Sequence, residues 1–264
     1  MLRRLAIYGL ACVMWLGALD EDAEASFHLW DISEVYSNAD GSVQFIELFT
    51  ASSNQQFLAG FTVKTTANMN TFTFPINSPA PTNNQRLLLA TCNFASLSGG
   101  VTSDYTIPAN FFDPASDVIN FANASIVSIS GAPTNGIDST YFTAAGANDG
   151  VDVNSPTNFR FPGDVGELTA PPQRGDMDNS GGVNTADVAP FMQALVDPDQ
   201  YAIDHPMVSA AVVGDINGDC QLDTGDIGPF SALLGGPASA ASVPEPSTFL
   251  LALLALAGVV RRRF

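Results

Sequence analysis

Oxygen-bearing side chains crowd two short segments near the C-terminal end of this 264-residue chain, 176–187 (DMDNSGGVNTAD) and 215–226 (DINGDCQLDTGD). In the first, Asp176, Asp178, Ser180, Asn184 and Asp187 occupy positions 1, 3, 5, 9 and 12. In the second, Asp215, Asn217, Asp219, Asp223 and Asp226 occupy the same positions. Position 7 contributes only its backbone carbonyl, so Gly182 and Gln221 can both serve. A hard divalent cation such as calcium takes about six to eight oxygens, and a loop of about 12 residues with donors at alternate positions wraps them around one point. The spacing therefore predicts two Ca2+ sites. Without a cation each cluster repels itself. Position 6 takes a sharp turn that suits glycine. Gly181 fills it in the first loop, whereas Cys220 stands there in the second, at a cost of roughly 1 kcal/mol if its φ is positive.

The elements that must hold these loops repeat with them. Asp215 follows Asp176 at an offset of 39 residues, and Asp187-Val188-Ala189-Pro190-Phe191 is answered by Asp226-Ile227-Gly228-Pro229-Phe230. Such in-register similarity marks one supersecondary unit used twice. After the first loop, Val188, Phe191, Met192 and Leu195 lie at i, i+3, i+4 and i+7, the stripe of an amphipathic helix, and Ile227, Phe230 and Leu234 repeat it. Each helix is predicted to start near its loop's end, with Thr185 or Asp187 as the cap in the first copy. Pro190 and Pro229 fall early enough to sit in a first turn. The two stripes can bury each other, giving a small all-α module clamped by calcium.

This arrangement resembles the type I dockerin family, two duplicated loop-helix units that each lack the first helix of a full EF-hand, over roughly residues 174–235. The resemblance implies calcium at the matched positions and a cohesin-like docking partner. Two departures stand out: the connection 197–214 is longer than in dockerins of cellulase complexes, and the helices carry no Lys or Arg.

Composition bounds the partners. Nine basic against 27 acidic residues give a net charge of −18, and Arg3, Arg4, Arg261, Arg262 and Arg263 sit in the terminal tails. That leaves Lys64, Arg86, Arg160 and Arg174 for the body, which excludes nucleic acid and anionic lipid as electrostatic partners and suits a calcium-containing exterior. Cys92 and Cys220 fall in different predicted domains. Parity permits a bridge between them, but spacing does not imply one.

The N-terminus reads as a signal peptide over residues 1–25: Arg3 and Arg4, an apolar run over 5–19, then Ala23 and Ala25 as a small-residue site for signal peptidase. From 27 to 166 the chain turns to short runs rich in Thr, Ser, Phe, Val and Ile. The stretches 28–35 and 43–49 alternate around the turn residues Asn38-Ala39-Asp40-Gly41, and further strands are predicted over 60–65, 71–74, 86–90, 118–121 and 125–130. Many short strands with regular turns predict a β-sandwich, making the chain mainly β. The succession ISEV, FIELF, FLAGFTV, FTFP, QRLLLAT and DVINFAN, within about 29–142, resembles the lamin-tail domain. That resemblance implies an immunoglobulin-like sandwich used as an accessory or adhesive module, with no catalytic set.

Glu34 and Glu47 could be pictured as a glycosidase pair, which needs two carboxyls about 5 to 9 Å apart around a sugar. Strand carboxylates at hairpin ends are usually solvated or paired with backbone donors, and the only histidines are His28 and His205, so no catalytic residue is assigned and the chain is read as non-enzymatic.

Residues 167–173 read as a linker and 236–242 as a spacer. Beyond them Pro244-Glu245-Pro246, an apolar run over 248–260 and the basic end Arg261-Arg262-Arg263-Phe264 resemble the PEP-CTERM sorting signal over 243–264. The resemblance implies a hydrophobic helix inserted transiently in the inner membrane and removal by an exosortase-type sorting protease. The expected protein is an exported, non-enzymatic component of the cell surface, outer envelope or extracellular matrix. The alternative is an accessory subunit of a polysaccharide-degrading assembly, docked to a cohesin through 174–235.

Overall fold

β1 (Asp31–Ser37) and β2 (Gln44–Thr50) pair antiparallel around the expected turn, closed by the Asn38 N–H donating to the Val43 carbonyl at 2.9 Å, with Gly41 at φ 69°. The structure is a computed structural model describing residues 27–159 and 164–235. The leader with Ala23 and Ala25, and the tail with Pro244, Glu245, Pro246 and the apolar run, lie outside the described residues.

The hairpin seeds the larger of two sheets. The expected strands form as β3 (Thr62–Thr65), β4 (Thr71–Thr73), β5 (Gln85–Ala90), β7 (Ser116–Phe121) and β8 (Ser125–Ser130), and three more join them: β6 (Tyr105–Thr106), β9 (Asp138–Phe142) and β10 (Asn148–Val153). One sheet runs β10-β9-β1-β2-β5-β6 and the other β4-β3-β7-β8, with every pairing antiparallel except β5 with β6.

Strand periodicity decides where the core sits, because successive side chains point to opposite faces. Val35, Ile46, Leu48, Leu87 and Leu89 from the large sheet meet Val63, Ile119, Phe121 and Val127 from the small one in a single apolar cluster. The intervening Tyr36, Phe45, Leu88 and Ala90 point the other way, yet they too are buried, under Phe94, Leu97, Leu168 and Val212. The large sheet is therefore covered on both faces, which explains why 44–50 is buried at nearly every position, polar residues included.

The strap that covers the outer face is held by polar side chains. Asn154 accepts from the Leu168 N–H at 2.7 Å and donates to the Ile137 and Leu168 carbonyls, while Asp104 accepts from the N–H groups of Leu88 and Phe159 at 2.8 Å each. Two glutamates complete it. Glu34 accepts from the Ser155 N–H at 2.9 Å, and Glu47 accepts from the Thr157 N–H at 2.9 Å, from Ser33 Oγ at 2.8 Å and from Arg86.

Helices follow the strands: α1 (Val188–Val196), α2 (Pro198–Asp204), the single turn α3 (Ala210–Val213) and α4 (Ile227–Gly235). Their own core gathers Met177, Phe191, Ala194, Tyr201, Val208, Val213 and Phe230. Phe191 stacks on Phe230 with ring centroids 4.1 Å apart, as the repeated stripe predicts. The buried face is narrower than expected, since Val188, Met192 and Ile227 remain exposed and Ala194 is buried in their stead.

Glu34 and Glu47 stand opposite each other on β1 and β2, fully buried, and the Arg86 guanidinium pairs with Glu47. Burial pushes the Glu47 carboxyl up to about 7, Arg86 pulls against that, and Glu34 adds to it. Burial likewise raises Glu34. A free glutamate titrates near 4.3, so between about pH 4.5 and 7 the folded chain keeps a proton that the unfolded chain has lost, and stability contributed by Glu47 falls as pH rises. Glu47→Gln should flatten this dependence: its melting temperature is expected to fall less than wild type's between about pH 5 and pH 7.5, a difference on the order of 2 kcal/mol. Equal slopes by calorimetry would contradict it.

Candidate metal centre

The two acidic loops fold alike, residue for residue. Positions 4 and 6 are left-handed in both, Asn179 at φ 56° and Gly181 at 94°, Gly218 at 78° and Cys220 at 74°. These reversals turn successive N–H groups inward onto the carboxylate at position 1. Asp176 accepts from the N–H of Ser180 and of Gly181 at 2.9 Å each. Asp215 accepts from Gly218 at 2.8 Å and from Asp219 and Cys220 at 3.1 Å.

Position 12 closes each ring. Asp187 accepts from the N–H of Asp178 at 3.1 Å and Asn184 at 2.8 Å. Asp226 accepts from Ile216 at 2.7 Å and from Asn217 and Asp223 at 2.9 Å. Asp176, Asp187, Asp215 and Asp226 are all buried. Asp187, one of the two expected caps, is the N-cap of α1, though its side chain makes no cap bond there; the side-chain caps belong to the 3-10 turn before each helix, where Asn184 accepts from the Ala186 N–H at 2.8 Å and Asp223 accepts from Gly225 at 2.6 Å. Each is paired reciprocally with its position-12 aspartate in a capping box, because the loop's last turn is a 3-10 turn that starts one residue earlier.

Asp178 joins Asp176 and Asp187 in the first ring, and the other sequence-predicted residues bond within their own loops. Asp178 and Asn217 accept from the N–H two residues on, at 3.0 and 2.9 Å, Ser180 Oγ reaches the Gly182 carbonyl at 3.5 Å, and Asp219 accepts from the Gln221 N–H at 3.0 Å. Ser180 holds the Asp178 carboxyl below its usual range, through side chain first and backbone next. At Asp215 burial raises the carboxyl, against the pull of the Gly218 and Cys220 N–H groups and of Arg174, and the charge of Asp226 adds to the rise.

The two loops differ in what they gather. In the first, carboxylate oxygens of Asp176, Asp178 and Asp187 converge within 4.8 Å of one another. In the second, position 3 is Asn217, whose amide donates to Asp219 at 2.9 Å, so the three-carboxylate group of the first loop has no counterpart. The donor set is all oxygen in both, which fits a hard cation such as calcium.

Three supports were invisible in the loop spacing. Tyr201 on α2 donates to the Met177 carbonyl at 2.7 Å, so the long connection between the repeats buttresses position 2 of loop one. Burial, then the charges of Asp176, Asp187 and Asp178, push the Tyr201 hydroxyl up to about 12. Arg174 Nη1 donates to the Ile216 carbonyl, position 2 of loop two, at 3.3 Å. Finally, Cys92 and Cys220 form a disulfide, with Cα atoms 5.3 Å apart, which spacing had not implied. The one available signal was compositional: Arg174 is one of four basic residues outside the tails.

Glu34 and Glu47 are brought together by the β1–β2 register, but as fully buried groups committed to Ser155, Ser33, Thr157 and Arg86.

Among known proteins, residues 242–263 match the PEP-CTERM protein-sorting motif. Comparison with curated proteins and with solved structures finds no match to the chain. Among the described residues no helix is long and apolar enough to cross a membrane. The motif supports an exported, surface-directed protein bearing a membrane-associated sorting signal, and it is associated with exosortase processing.

Proposed function

We propose that this chain is a non-enzymatic surface or matrix protein in which a β-sandwich of the lamin-tail kind presents a dockerin-like module stabilised by calcium at two loops. The observation that carries the reading is the doubling of loop geometry across 39 residues: the same left-handed positions, the same buried aspartates at positions 1 and 12, and N–H groups turned inward at positions 5 and 6 of both loops. Bound calcium supplies the positive charge that lets these carboxylates crowd together. Asp176, Asp178, Ser180, Asn184 and Asp187, with the Gly182 carbonyl, would hold one ion. Asp215, Asn217, Asp219, Asp223 and Asp226, with the Gln221 carbonyl, would hold the other.

The non-enzymatic reading is supported by the burial of Glu34 and Glu47 and by their commitment to the strap. A second reading, docking to a cohesin-like partner within a polysaccharide-degrading assembly, is favoured by one feature. Val188, Met192 and Val196 lie four residues apart along α1 and stay exposed, an apolar stripe with no covering element among the described residues.

Calorimetric titration of the purified protein should show two calcium sites. Asp187→Ala and Asp226→Ala should each remove one. Calcium at about 100 times its dissociation constant should add about 2.7 kcal/mol of stability per site, reversed by chelator. No heat of binding, with identical melting in calcium and chelator, would refute the calcium reading. Mass spectrometry of protein recovered from the cell surface should show loss of Arg261, Arg262, Arg263 and Phe264, and retention of these residues would refute processing of the tail.

A further inference from the structure

Cys220 stands at position 6 of loop two, where loop one has Gly181, and both residues are left-handed with their N–H donated to the first aspartate of the loop. A side chain at this position is an avoidable backbone cost. Its compensation is visible in the structure: the sulfur is bonded to Cys92, immediately beyond β5 of the large sheet. The neighbouring Asn93 donates from Nδ2 to the Ala211 carbonyl at 2.7 Å, fixing α3, the turn that leads into Asp215. Arg174 reaches the same place, with its Nε buried and unpartnered beside a crevice of about 10 Å³ bounded by Cys92, Asp215 and Gly218, room for about one water. Loop two thus enters its cation-binding shape from a covalently fixed point on the sheet, whereas the entry to loop one is held by hydrogen bonds, Arg174 N–H to Asp40 at 3.3 Å and Gly175 N–H to the Val213 carbonyl at 2.7 Å, and by Tyr201.

We propose that the Cys92–Cys220 bridge preorganises loop two for its cation, so that bridge oxidation and cation occupancy are reciprocally coupled at this loop and not at loop one. The inference rests on the calcium reading above. The physical argument is entropic. A tether that already holds Cys220 left-handed and its N–H on Asp215 removes part of the ordering that an untethered loop must undergo on binding. Reciprocity is then obligatory: whatever factor the bridge contributes to calcium affinity, calcium contributes to the bridge's resistance to reduction. Reduction is an exchange with a dithiol reductant, which supplies two electrons and two protons, leaves as a cyclic disulfide and frees two thiols, Cys92 and Cys220.

The full-length chain in detergent is titrated with Ca2+ by calorimetry in two backgrounds. Asp187→Ala silences loop one so that loop two is read alone, and Asp226→Ala does the reverse. In the first background, Cys92→Ser is expected to weaken calcium binding about tenfold, and treatment of the parent with a dithiol reductant is expected to do the same. In the second background Cys92→Ser is expected to change affinity less than about twofold, which also shows that the module remains folded. In the wild-type chain, saturating calcium should raise the dithiol concentration needed for half-reduction, read by alkylation and mass, by a factor similar to the affinity change. Unchanged loop-two affinity in Cys92→Ser while both loops still bind overturns the coupling alone. Equal losses at both loops overturn it as well, because they mean general loosening. Absence of calcium binding in every background overturns the calcium reading and this inference together.

Discussion

Four aspartates withdrawn from water govern the C-terminal third of this protein. Asp176, Asp187, Asp215 and Asp226 are buried in two rings, and each ring keeps its shape because backbone N–H groups point inward onto the carboxylates. Those N–H groups offset part of the desolvation of an ionised carboxylate, but they are partial charges set against full ones. A chain with 27 acidic residues against nine basic ones provides little positive field to supply the remainder. Arg174 is the single cation that touches either loop among the described residues, and it touches loop two through a carbonyl. The rings are therefore rich in backbone donors and poor in positive charge, the deficit that the proposed divalent cation would fill.

How much of this was legible beforehand depends on how local the signal is. The loops could be read from the sequence because their oxygens, their reversals and their following helices lie within about fifteen residues of one another, and because the pattern occurs twice. Of the two expected caps Asp187 does stand at the N-cap of α1, while the side-chain cap bond comes from Asn184, which opens the preceding 3-10 turn. The stripe over α1 identified Phe191 correctly but overstated the buried face, because Phe191 and Ala194 carry its packing into the module's core while Val188 and Met192 stay exposed. Tyr201, Arg174 and the Cys92–Cys220 pairing were not legible at all. Each joins residues that only the tertiary fold brings close, across 24, 42 and 128 positions.

The β region shows the same division. Its hairpin and five further strands follow from alternation and turn chemistry, whereas β6, β9 and β10 do not. β6 has only two residues, and β10 is exposed along its whole length, so burial never imposed alternation on it. The large sheet departs from simple alternation for a different reason. Both of its faces are covered, so its strands bury glutamate as well as phenylalanine, and a buried carboxylate in such a strand must be met by specific donors. Glu34 and Glu47 find theirs in the strap at Ser155 and Thr157. A pair that suggests catalysis in a linear sequence thus serves, in the fold, to fasten one segment onto a sheet.

The same strap changes how the two halves of the chain relate. A β region and an acidic helical module joined by a proline-containing stretch invite a picture of independent units on a tether. Against it, Leu168 and Val212 are both buried on the outer face of the large sheet, one from the stretch between the halves and one from α3. Asn93 fastens α3 by its carbonyl, and the disulfide fastens loop two by its left-handed residue. These ties reach loop two and the turn that enters it, while the entry to loop one is tied by the Arg174 N–H to Asp40 at 3.3 Å and by the Gly175 N–H to the Val213 carbonyl at 2.7 Å. Of the two loops only loop two carries a covalent link to the sheet, so the two repeated units occupy unequal environments. The difference between Gly181 and Cys220 at a single loop position is what allows this, since only a side chain with a covalent partner elsewhere can turn a backbone cost into an attachment.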